Sequence, residues 1–279
     1  PFDCIEFNDR LSVIDLVYAL AFLLMDLEQR GLRPAANLVL TRYLRRRDDL
    51  EALAALPLFL SARALVRAKV AATAERVTAE PQACARLRIE AAEYFRLAAR
   101  YLGAGRPQLV AIGGLSGTGK SALAQRLAPG IGRSPGALVI RSDVERKALF
   151  GFDENERLPA SAYAPEIGER VFARMRSRAE RILRSGHSAI LDAVHARPDQ
   201  RAAAEELARA AGAEFRGLWL EAPREVLIAR VSARIGDASD ATPEVVERQL
   251  GYALGPIHWT RIDVSGPLDE IVEHAKVCV

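Results

Sequence analysis

The chain has 279 residues, half of them apolar, with a formal net charge of +3 and three cysteines. This length and apolar content predict two modest domains with real cores, and 35 of the 39 basic residues are arginines spread along the chain, unlike a nucleic-acid-binding patch. Cys4, Cys84 and Cys278 form no C-x-x-C pair, which argues against a disulfide framework or zinc site and fits a reducing, cytoplasmic compartment.

The start of the chain carries no recognisable membrane or export signal. It begins at Pro1 without a methionine, and its most apolar run, Val17 to Met25, is too short to span a bilayer. Asp15 and Asp26 flank that run. We therefore expect no membrane segment, and we expect the chain to be a fragment of a longer protein.

The first third of the chain is rich in Ala, Leu and Arg, with apolar positions three and four apart and few strand formers. This pattern predicts a helical bundle. Breaks at 31–34, around Pro57 and at Pro81 divide it into four or five helices. The segment GAGRP at 103–107 interrupts the periodicity and is typical of a linker, so the all-α domain is predicted at residues 1–102.

The pattern changes after the linker. Short apolar runs alternate with helical segments, and the runs read LVAIGG, ALVIRSD, SAILDAV, FRGLWLEA and a weaker WTRIDV. Strands that alternate with helices pair in parallel through right-handed crossovers. Residues 108–279 are therefore predicted to form an α/β domain with a parallel sheet of about five strands.

A glycine-rich turn follows the first of these runs. Gly114-Leu115-Ser116-Gly117-Thr118-Gly119-Lys120-Ser121 fits the P-loop pattern G-x-x-x-x-G-K-[ST] and stands between a predicted strand and the predicted helix ALAQRLA. Glycines let backbone N–H groups turn toward phosphate oxygens at a helix N-terminus. Lys120 would reach the β and γ phosphates, and the Ser121 hydroxyl would bind Mg²⁺. A chance glycine-rich turn is the alternative, and the strand–loop–helix context favours nucleotide binding.

Asp192 ends the run SAILDAV and is followed by Ala193. A carboxylate at the C-terminal end of a strand is placed for the magnesium shell, with a helix or turn cap as the alternative. Motor ATPases commonly carry a catalytic glutamate just after this aspartate, and GTPases need an N-K-x-D segment; the sequence has neither. Water activation by such a glutamate and guanine recognition are therefore not predicted.

The second strand delivers the segment RSDVER to the same edge of the sheet, where open α/β sheets bind ligands. Asp143 is a candidate to accept a proton from an acceptor hydroxyl. Arg141 and Arg146 are candidates to bind an anionic group on the acceptor or the migrating phosphoryl group. The structural alternative is an S-x-x-E capping box formed by Ser142 and Glu145 at the start of a helix.

Arg230 and Arg234 lie four residues apart on a predicted helix, where like charges repel unless an anion lies between them. They are candidates for a lid over phosphates, and ordinary solvated arginines are the alternative. The small polar segment 236–242 ends at Thr242-Pro243, a typical N-cap with proline at the first helical position.

The four histidines share no metal-ligand spacing and are predicted to be surface or structural residues. They are His187, His195, His258 and His274.

Residues 107–279 resemble the branch of P-loop proteins that includes shikimate, gluconate and chloramphenicol kinases, with zeta-toxin-like and polynucleotide-kinase-like members. Such domains are also called AAA-family ATPases. The stretches RSDVERKALFG, LPASAY, LWLEAP and GDASDATPEVVERQL are similar to the ATP-binding half of bacterial bifunctional aminoglycoside phosphotransferase/ATP-binding proteins. The resemblance implies a parallel sheet of order 2-3-1-4-5, Mg-ATP as cofactor and phosphoryl transfer to a small hydroxyl acceptor.

The start of the chain, FDCIEFNDRLSVIDLVYALAFLLMDL, resembles the segment after the catalytic loop of aminoglycoside-phosphotransferase-like kinases. There Asp3 would match a magnesium-binding aspartate and Asp15 a structural one, whereas Ala19 stands where the pattern usually carries aspartate. Those kinases take their base from an upstream H-G-D-type loop, and no histidine precedes His187. We expect Asp3 and Glu6 to be at most remnants of a site, and the missing kinase-like lobe to be present in the full-length protein.

Together these observations predict a cytoplasmic P-loop kinase fused to a truncated kinase-like helical lobe. Lys120, Mg²⁺ on Ser121 and Asp192, and the lid arginines would neutralise the migrating phosphoryl group, while Asp143 orients a small-molecule acceptor. Two alternatives remain: an ATPase or nucleotide-gated switch that regulates the attached lobe, and a polynucleotide 5′-kinase. The lack of an interleaved basic and aromatic groove makes a nucleic-acid acceptor the weaker of these.

Overall fold

The computed structural model describes residues 14–103, 105–233 and 238–279. The chain divides into two units, one of residues 1–105 with 133–135 and the other of residues 106–132 with 136–279. The division at 105–106 lies inside the predicted linker segment, and the identity of the two domains stays a prediction.

The described part of the first unit contains four α-helices and one 3₁₀ turn, as the sequence breaks predict. They are α1 (Leu16–Gln29), α2 (Arg33–Arg47), the 3₁₀ turn Glu51–Ala54, α3 (Leu56–Val77) and α4 (Pro81–Tyr101). Asp15 caps α1, because its Oδ1 accepts the N–H groups of Val17 and Tyr18 at 2.7 and 3.2 Å. Pro81 occupies the first turn of α4, where its missing N–H costs nothing.

The helical core comes from the apolar faces that the three-and-four spacing predicts. Leu24, Met25, Leu40, Leu56 and Leu60 are fully buried, and α3 packs along α4 and against α1. Each such side chain contributes about 1.5–3 kcal/mol by leaving water.

The described part of the second unit contains five strands, and each coincides with one of the five apolar runs, with β1 and β4 beginning one residue before theirs. They are β1 (Gln108–Gly114), β2 (Leu138–Arg141), β3 (Ala189–Asp192), β4 (Glu214–Glu221) and β5 (Thr260–Asp263). All neighbouring pairs are parallel, and the strand order is β2-β3-β1-β4-β5. The predicted fold class and the order 2-3-1-4-5 are thus confirmed.

Helices flank the sheet. They are α5 (Lys120–Leu127), α6 (Ser142–Phe150), α7 (Pro165–Arg184), α8 (Pro198–Ala210), α9 (Arg224–Ser232), α10 (Pro243–Leu250) and α11 (Leu268–Val277), with 3₁₀ turns at Ala128–Gly130 and Ala160–Tyr163. A core that includes Val110, Ile112 and Ile190 of the sheet also contains side chains of α5 and α11, and α7 and α8 pack on each other and on the strands. Strands covered in this way read as continuous apolar runs, which is why the sequence reveals them.

None of the helices in the described ranges is long and apolar enough to cross a membrane.

The strand register brings the polar ends of three strands together. Ile112 of β1 lies beside Asp192 of β3, and Arg141 of β2 lies beside the same aspartate. Because parallel strands end at one edge of the sheet, the segments that follow β1, β2 and β3 meet there.

Candidate active site

The glycine-rich turn runs from the end of β1 into the first two residues of α5. Gly117 and Gly119 adopt left-handed conformations, with φ of 89° and 81°, which only glycine adopts without strain. A Cβ atom on Gly117 would lie 2.6 Å from the carbonyl oxygen of Leu227, whereas one on Gly119 would face open space. The loop is therefore packed against α9 on one side and open on the other, as a phosphate cradle requires.

Hydrogen bonds to the Leu115 carbonyl and to one side chain of α10 hold the loop in place. The Lys120 ammonium and the Thr118 hydroxyl both donate to the Leu115 carbonyl, at 2.9 and 2.8 Å. The Ser116 N–H donates to Oε1 of Gln249 at 2.7 Å. Lys120 opens α5, so it stands at the positive end of the helix dipole.

Ser121 and Asp192 meet as the sequence predicts. The Ser121 hydroxyl donates to Oδ2 of Asp192 at 2.5 Å, and Nε of Arg141 lies 3.5 Å from the same oxygen. Arg141 is buried and pairs with Asp192; it is not among the residues that line the cavity described below. Its predicted contact with an acceptor stays a prediction that this position does not favour.

The donor set at this point fits magnesium. Ser121 and Asp192 offer a hydroxyl and a carboxylate oxygen, and the described residues contain no cluster of three or more His, Cys, Asp or Glu that could hold a metal ion. Mg²⁺ is usually held by one or two protein oxygens together with substrate phosphates and water, rather than by an all-protein cage.

Asp143 lies in the first turn of α6 and lines the same cavity as Lys120 and Ser121. Burial, and then the negative charge of Asp192, raise the pKa of the Asp143 carboxyl above its ordinary value. The charges of Arg141 and Lys120 oppose this rise. Asp143 is therefore a stronger base than an exposed aspartate.

The predicted capping box at the start of α6 is wrong. The N-cap residue is Arg141, and it makes no side-chain capping hydrogen bond. Glu145 is buried and instead accepts from Arg174 at 2.6 Å and lies 3.2 Å from Nε of Arg178. Two arginines of α7 compete more strongly for this carboxylate than a local N–H does, and spacing on one helix cannot reveal them.

These residues border a cavity of about 960 Å³ in the second unit. Its walls come from the P-loop, the start of α6, the segment around Arg157 to Tyr163, the segment after β3, and α10 with the residues before it. Ser116, Gly117 and Gly119 of the P-loop also line it. A cavity of this size has room for a nucleotide and a small second molecule.

A polar node around the buried ammonium of Lys147 holds two of these walls together. Asp240 accepts from the Leu158 N–H at 3.2 Å and from the Tyr163 hydroxyl at 2.6 Å, and its Oδ1 lies 3.4 Å from Nζ of Lys147. Lys147 is almost fully buried and also donates to the Glu154 carbonyl at 2.7 Å. The sequence analysis missed this node, because its members lie up to 93 residues apart. The rarity of lysine in the chain was the one available signal.

Arg146 lies one turn after Asp143 on α6 and borders the cavity, and its predicted contact with an anionic group stays a prediction. Its Nη1 donates to the Ala162 carbonyl at 2.8 Å, and its guanidinium lies 5.0 Å from the centre of the Tyr163 ring. Burial lowers the pKa of Arg146.

The predicted lid arginines have different outcomes. Arg230 donates to the Val264 carbonyl at 2.7 Å and is not among the cavity-lining residues, so its phosphate role stays a prediction without geometric support. Arg234 lies outside the described residues. The cavity is lined instead by Arg157, Arg197 and Arg248, which the sequence analysis missed. Spacing shows that two arginines share a helix face, but not what the face meets.

His195 is buried and has an unusual backbone φ of 49°. Its ring packs edge-on against Phe172 and Trp259, with ring centres 5.4 and 5.2 Å apart. Burial, and then the charge of Lys120, lower the pKa of His195 to about 3, so the ring is neutral at physiological pH. This fits the predicted structural role.

Arg201 of α8 supports two cavity walls. It donates to the carbonyls of His195 and Ala196 at 2.8 and 2.9 Å, and to those of Leu254 and Pro256 at 2.6 and 3.0 Å. One buried guanidinium thereby ties the segment after β3 to the segment after α10.

Comparison with known proteins assigns the second unit. Residues 109–256, which contain the P-loop, Asp143 and Asp192, match the AAA domain family. The chain belongs to this family. The matched segment begins with β1 and ends after α10, so it includes the residues of every cavity wall.

The AAA domain protein also matches longer curated relatives. It is 34% identical over 284 residues to "Uncharacterized protein Rv2004c" of Mycobacterium tuberculosis (strain ATCC 25618 / H37Rv), and equally to "Uncharacterized protein Mb2027c" of Mycobacterium bovis. The match covers 98% of this chain and 54% of the relatives. The chain thus spans about half the length of the curated relatives it matches.

Similar solved structures include a gluconokinase from Sinorhizobium meliloti 1021, with 22% identity, a TM-score of 0.41 and coverage of 62% of this chain and 91% of that one. The APS kinase CysC of Mycobacterium tuberculosis, in complex with AMPPNP and APS, has 21% identity, a TM-score of 0.44 and coverage of 61% and 95%. A putative kinase from Chloroflexus aurantiacus has 20% identity, a TM-score of 0.47 and coverage of 63% and 100%.

Proposed function

We propose that the second unit is a Mg-ATP-dependent kinase that transfers a phosphoryl group to a hydroxyl of a small molecule. The observation that carries the proposal is the shared cavity: Lys120 and Ser121 of the P-loop, Asp192 and the carboxyl of Asp143 all border it. A nucleotide site alone does not need a carboxyl of raised pKa beside it, whereas a transferase needs a base for its acceptor.

The nucleotide side would be formed by the P-loop and its neighbours. The loop N–H groups and Lys120 bind phosphate oxygens, and Ser121 and Asp192 hold the metal. Bound Mg-ATP would supply the phosphoryl group and the charge neutralisation that its transfer requires.

On the acceptor side, Asp143 orients the hydroxyl and takes its proton as the acceptor oxygen bonds to phosphorus and the bond to ADP breaks. The proton then resides on the Asp143 carboxyl. A raised pKa brings this carboxyl closer to the operating pH, which improves a general base as long as it stays ionised. The nearby charges of Lys120 and Arg141 help to keep it ionised.

We propose that the helical unit corresponds to part of an aminoglycoside-phosphotransferase-like C-lobe and does not phosphorylate a substrate by itself. Support comes from the sequence resemblance and from Asp15, which caps α1 and thus acts structurally. Asp3 and Glu6 lie outside the described residues.

The proposal is tested by ADP release from Mg-ATP, alone and with pooled acceptors: aminoglycosides, sugars and sugar acids, nucleosides, and 5′-hydroxyl oligonucleotides. One small-molecule pool should stimulate turnover in the wild type. Lys120→Ala should lower the rate of acceptor-stimulated ADP release by at least about a hundredfold, which is the effect of losing one hydrogen-bond donor to the transition state. Lys276→Ala, at an exposed lysine paired with Glu273 on α11, is the matched control.

Two results would contradict the proposal. Equal slow turnover with every pool, despite ATP binding, would indicate the nucleotide-gated switch. Stimulation by the oligonucleotide pool alone would indicate a polynucleotide 5′-kinase.

A further inference from the structure

One peptide group of the P-loop is held from both of its polar ends. It is the peptide that joins Leu115 to Ser116. Its carbonyl accepts a hydrogen bond from the Lys120 ammonium at 2.9 Å, and its N–H donates to Oε1 of Gln249 at 2.7 Å. Lys120 and Gln249 therefore lie at opposite ends of the same peptide group.

This arrangement indicates where Gln249 lies relative to a bound nucleotide. The N–H groups of a P-loop cradle the α and β phosphates, whereas its lysine reaches the β and γ phosphates. The Lys120 ammonium can turn toward phosphate without leaving the Leu115 carbonyl unpaired, because the Thr118 hydroxyl also donates to that carbonyl at 2.8 Å. The 115–116 peptide, and Gln249 beside it, therefore belong to the γ-phosphate end of the nucleotide site.

The hydrogen bond to Ser116 also fixes which way the amide of Gln249 points. A backbone N–H can only donate, so the amide oxygen faces it and the NH₂ group points elsewhere. Within the described chain this NH₂ group makes no hydrogen bond. Gln249 is 7% exposed and lines the cavity, and its amide nitrogen is not fully enclosed by protein. Since the donors of a buried amide normally have partners, this group is open to a partner in the cavity.

An apolar cluster fixes the position of Gln249. Val246 is fully buried and packs with Leu227 and Val231 of α9, and Leu115 of the P-loop packs against the same cluster. Val246 precedes Gln249 by three residues, so the two side chains lie on the same face of α10. Because the P-loop and α10 share this cluster, the amide is held beside the loop before any nucleotide binds, which lowers the entropy cost of a contact with the nucleotide.

We propose that the amide NH₂ group of Gln249 binds the γ phosphate and thereby distinguishes a nucleoside triphosphate from a diphosphate. This inference rests on the proposed function, because it assigns one residue of that nucleotide site to the phosphoryl group that is transferred. The amide oxygen keeps its hydrogen bond with the Ser116 N–H, while the nitrogen donates to an oxygen of the γ phosphate. A diphosphate offers no oxygen at this position, so loss of the NH₂ group affects its binding little.

Calorimetric titration of the full chain with Mg-AMPPNP and with Mg-ADP, in the absence of any acceptor, tests the proposal. Gln249→Met removes the amide donors with little change in side-chain length and none in charge. It should raise the Mg-AMPPNP dissociation constant roughly tenfold or more, as expected for loss of a hydrogen bond to a charged group, and change the Mg-ADP dissociation constant less than about threefold. The ratio of the two constants is the readout, because general damage to the loop weakens both nucleotides and cancels in the ratio.

Gln249→Glu is the second variant. It keeps an oxygen for the Ser116 N–H but places a carboxylate oxygen where the donors were, so it should change the ratio at least as much as Gln249→Met. Gln125→Glu, which adds the same charge at an exposed position of α5, is the matched control and should leave the ratio within about twofold of wild type. Equal weakening of both nucleotides would overturn the proposal and leave Gln249 with the loop contact alone. A ratio altered by Gln249→Glu but not by Gln249→Met would also overturn it, because charge repulsion then explains the effect.

ADP release with the pooled acceptors separates this proposal from the proposed function. A ratio that depends on Gln249, without stimulation of turnover by any pool, would support the γ-phosphate contact and contradict the kinase. Lys120-dependent stimulation by one pool, with the ratio unchanged in both Gln249 variants, would support the kinase and overturn the γ-phosphate contact.

Discussion

The two sides of the cavity are built in different ways. On the nucleotide side, eight consecutive residues, Gly114 to Ser121, form the loop, and it is held by hydrogen bonds within the loop and by one that the Ser116 N–H donates to Gln249. On the acceptor side, the walls come from separate segments that Asp240 joins through Lys147, Leu158 and Tyr163. A site made of one contiguous turn keeps its geometry as long as the turn folds, whereas the acceptor wall depends on contacts between distant segments.

The largest expected effect concerns the node at Asp240. Asp240→Asn leaves the ammonium of Lys147, which is 1% exposed, without its carboxylate, and should lower the free energy of unfolding by about 3 kcal/mol. It should also raise the acceptor KM more than the ATP KM. Denaturant unfolding and steady-state kinetics check both results.

Lys147→Met provides the control for that prediction. In the double variant Asp240→Asn/Lys147→Met, no buried charge is left unpaired. Its free energy of unfolding should therefore recover much of what Asp240→Asn alone loses. If the losses in free energy of unfolding of the two single variants simply add in the double variant, Asp240 and Lys147 are not coupled, which would contradict the prediction.

A pH series tests the wall after β3 that His195 supports. The pKa of His195 is lowered to about 3 in the folded chain, so its contribution is complete above about pH 6.5 and is lost as the pH falls from there toward 3. Asparagine tolerates the left-handed backbone at this position. The free energy of unfolding of wild type should exceed that of His195→Asn by about 2 kcal/mol less at pH 5 than at pH 7. His274→Asn, at an exposed site on α11, is the matched control.

Gly117→Val should damage the nucleotide side alone. The added Cβ would lie 2.6 Å from the Leu227 carbonyl in a left-handed backbone, so the loop must shift and lose N–H contacts to phosphate. We expect Mg-ATP affinity to fall at least about tenfold, since each such contact contributes roughly 1.5–3 kcal/mol. Calorimetric titration checks this, and an equal loss with Gly168→Val, at a position on α7 with open space around its Cβ, would contradict it.

The smallest expected effect is a gain in stability. Because the folded chain raises the pKa of Asp143, its ionised form is disfavoured at neutral pH. Asp143→Asn should therefore raise the melting temperature at pH 7, and the gain should shrink as the pH falls toward the ordinary aspartate value. Thermal melts at several pH values check this. An unchanged or lower melting temperature would show that the folded chain does not destabilise the ionised carboxyl.

The same contrast explains which features could be predicted from the sequence. The P-loop, the five strands and the contact of Ser121 with Asp192 follow from local patterns and from the rule that parallel strands end at one edge. The Asp240 node and the pairing of Glu145 with arginines of α7 depend on segments that meet only after folding. Arg230 shows the limit most clearly, because its helical spacing indicates a neighbour but not the Val264 carbonyl that it binds.

The most direct test of the account is Asp143→Asn, measured for Mg-ATP affinity and for acceptor-stimulated transfer across pH on the same samples. The account predicts an ATP dissociation constant within about twofold of wild type, transfer lowered by at least about a hundredfold, and loss of the rise in kcat/KM with pH that ionisation of a raised-pKa carboxyl produces. Weakened ATP binding with an unchanged rate of transfer would contradict it, and would assign Asp143 to the nucleotide side.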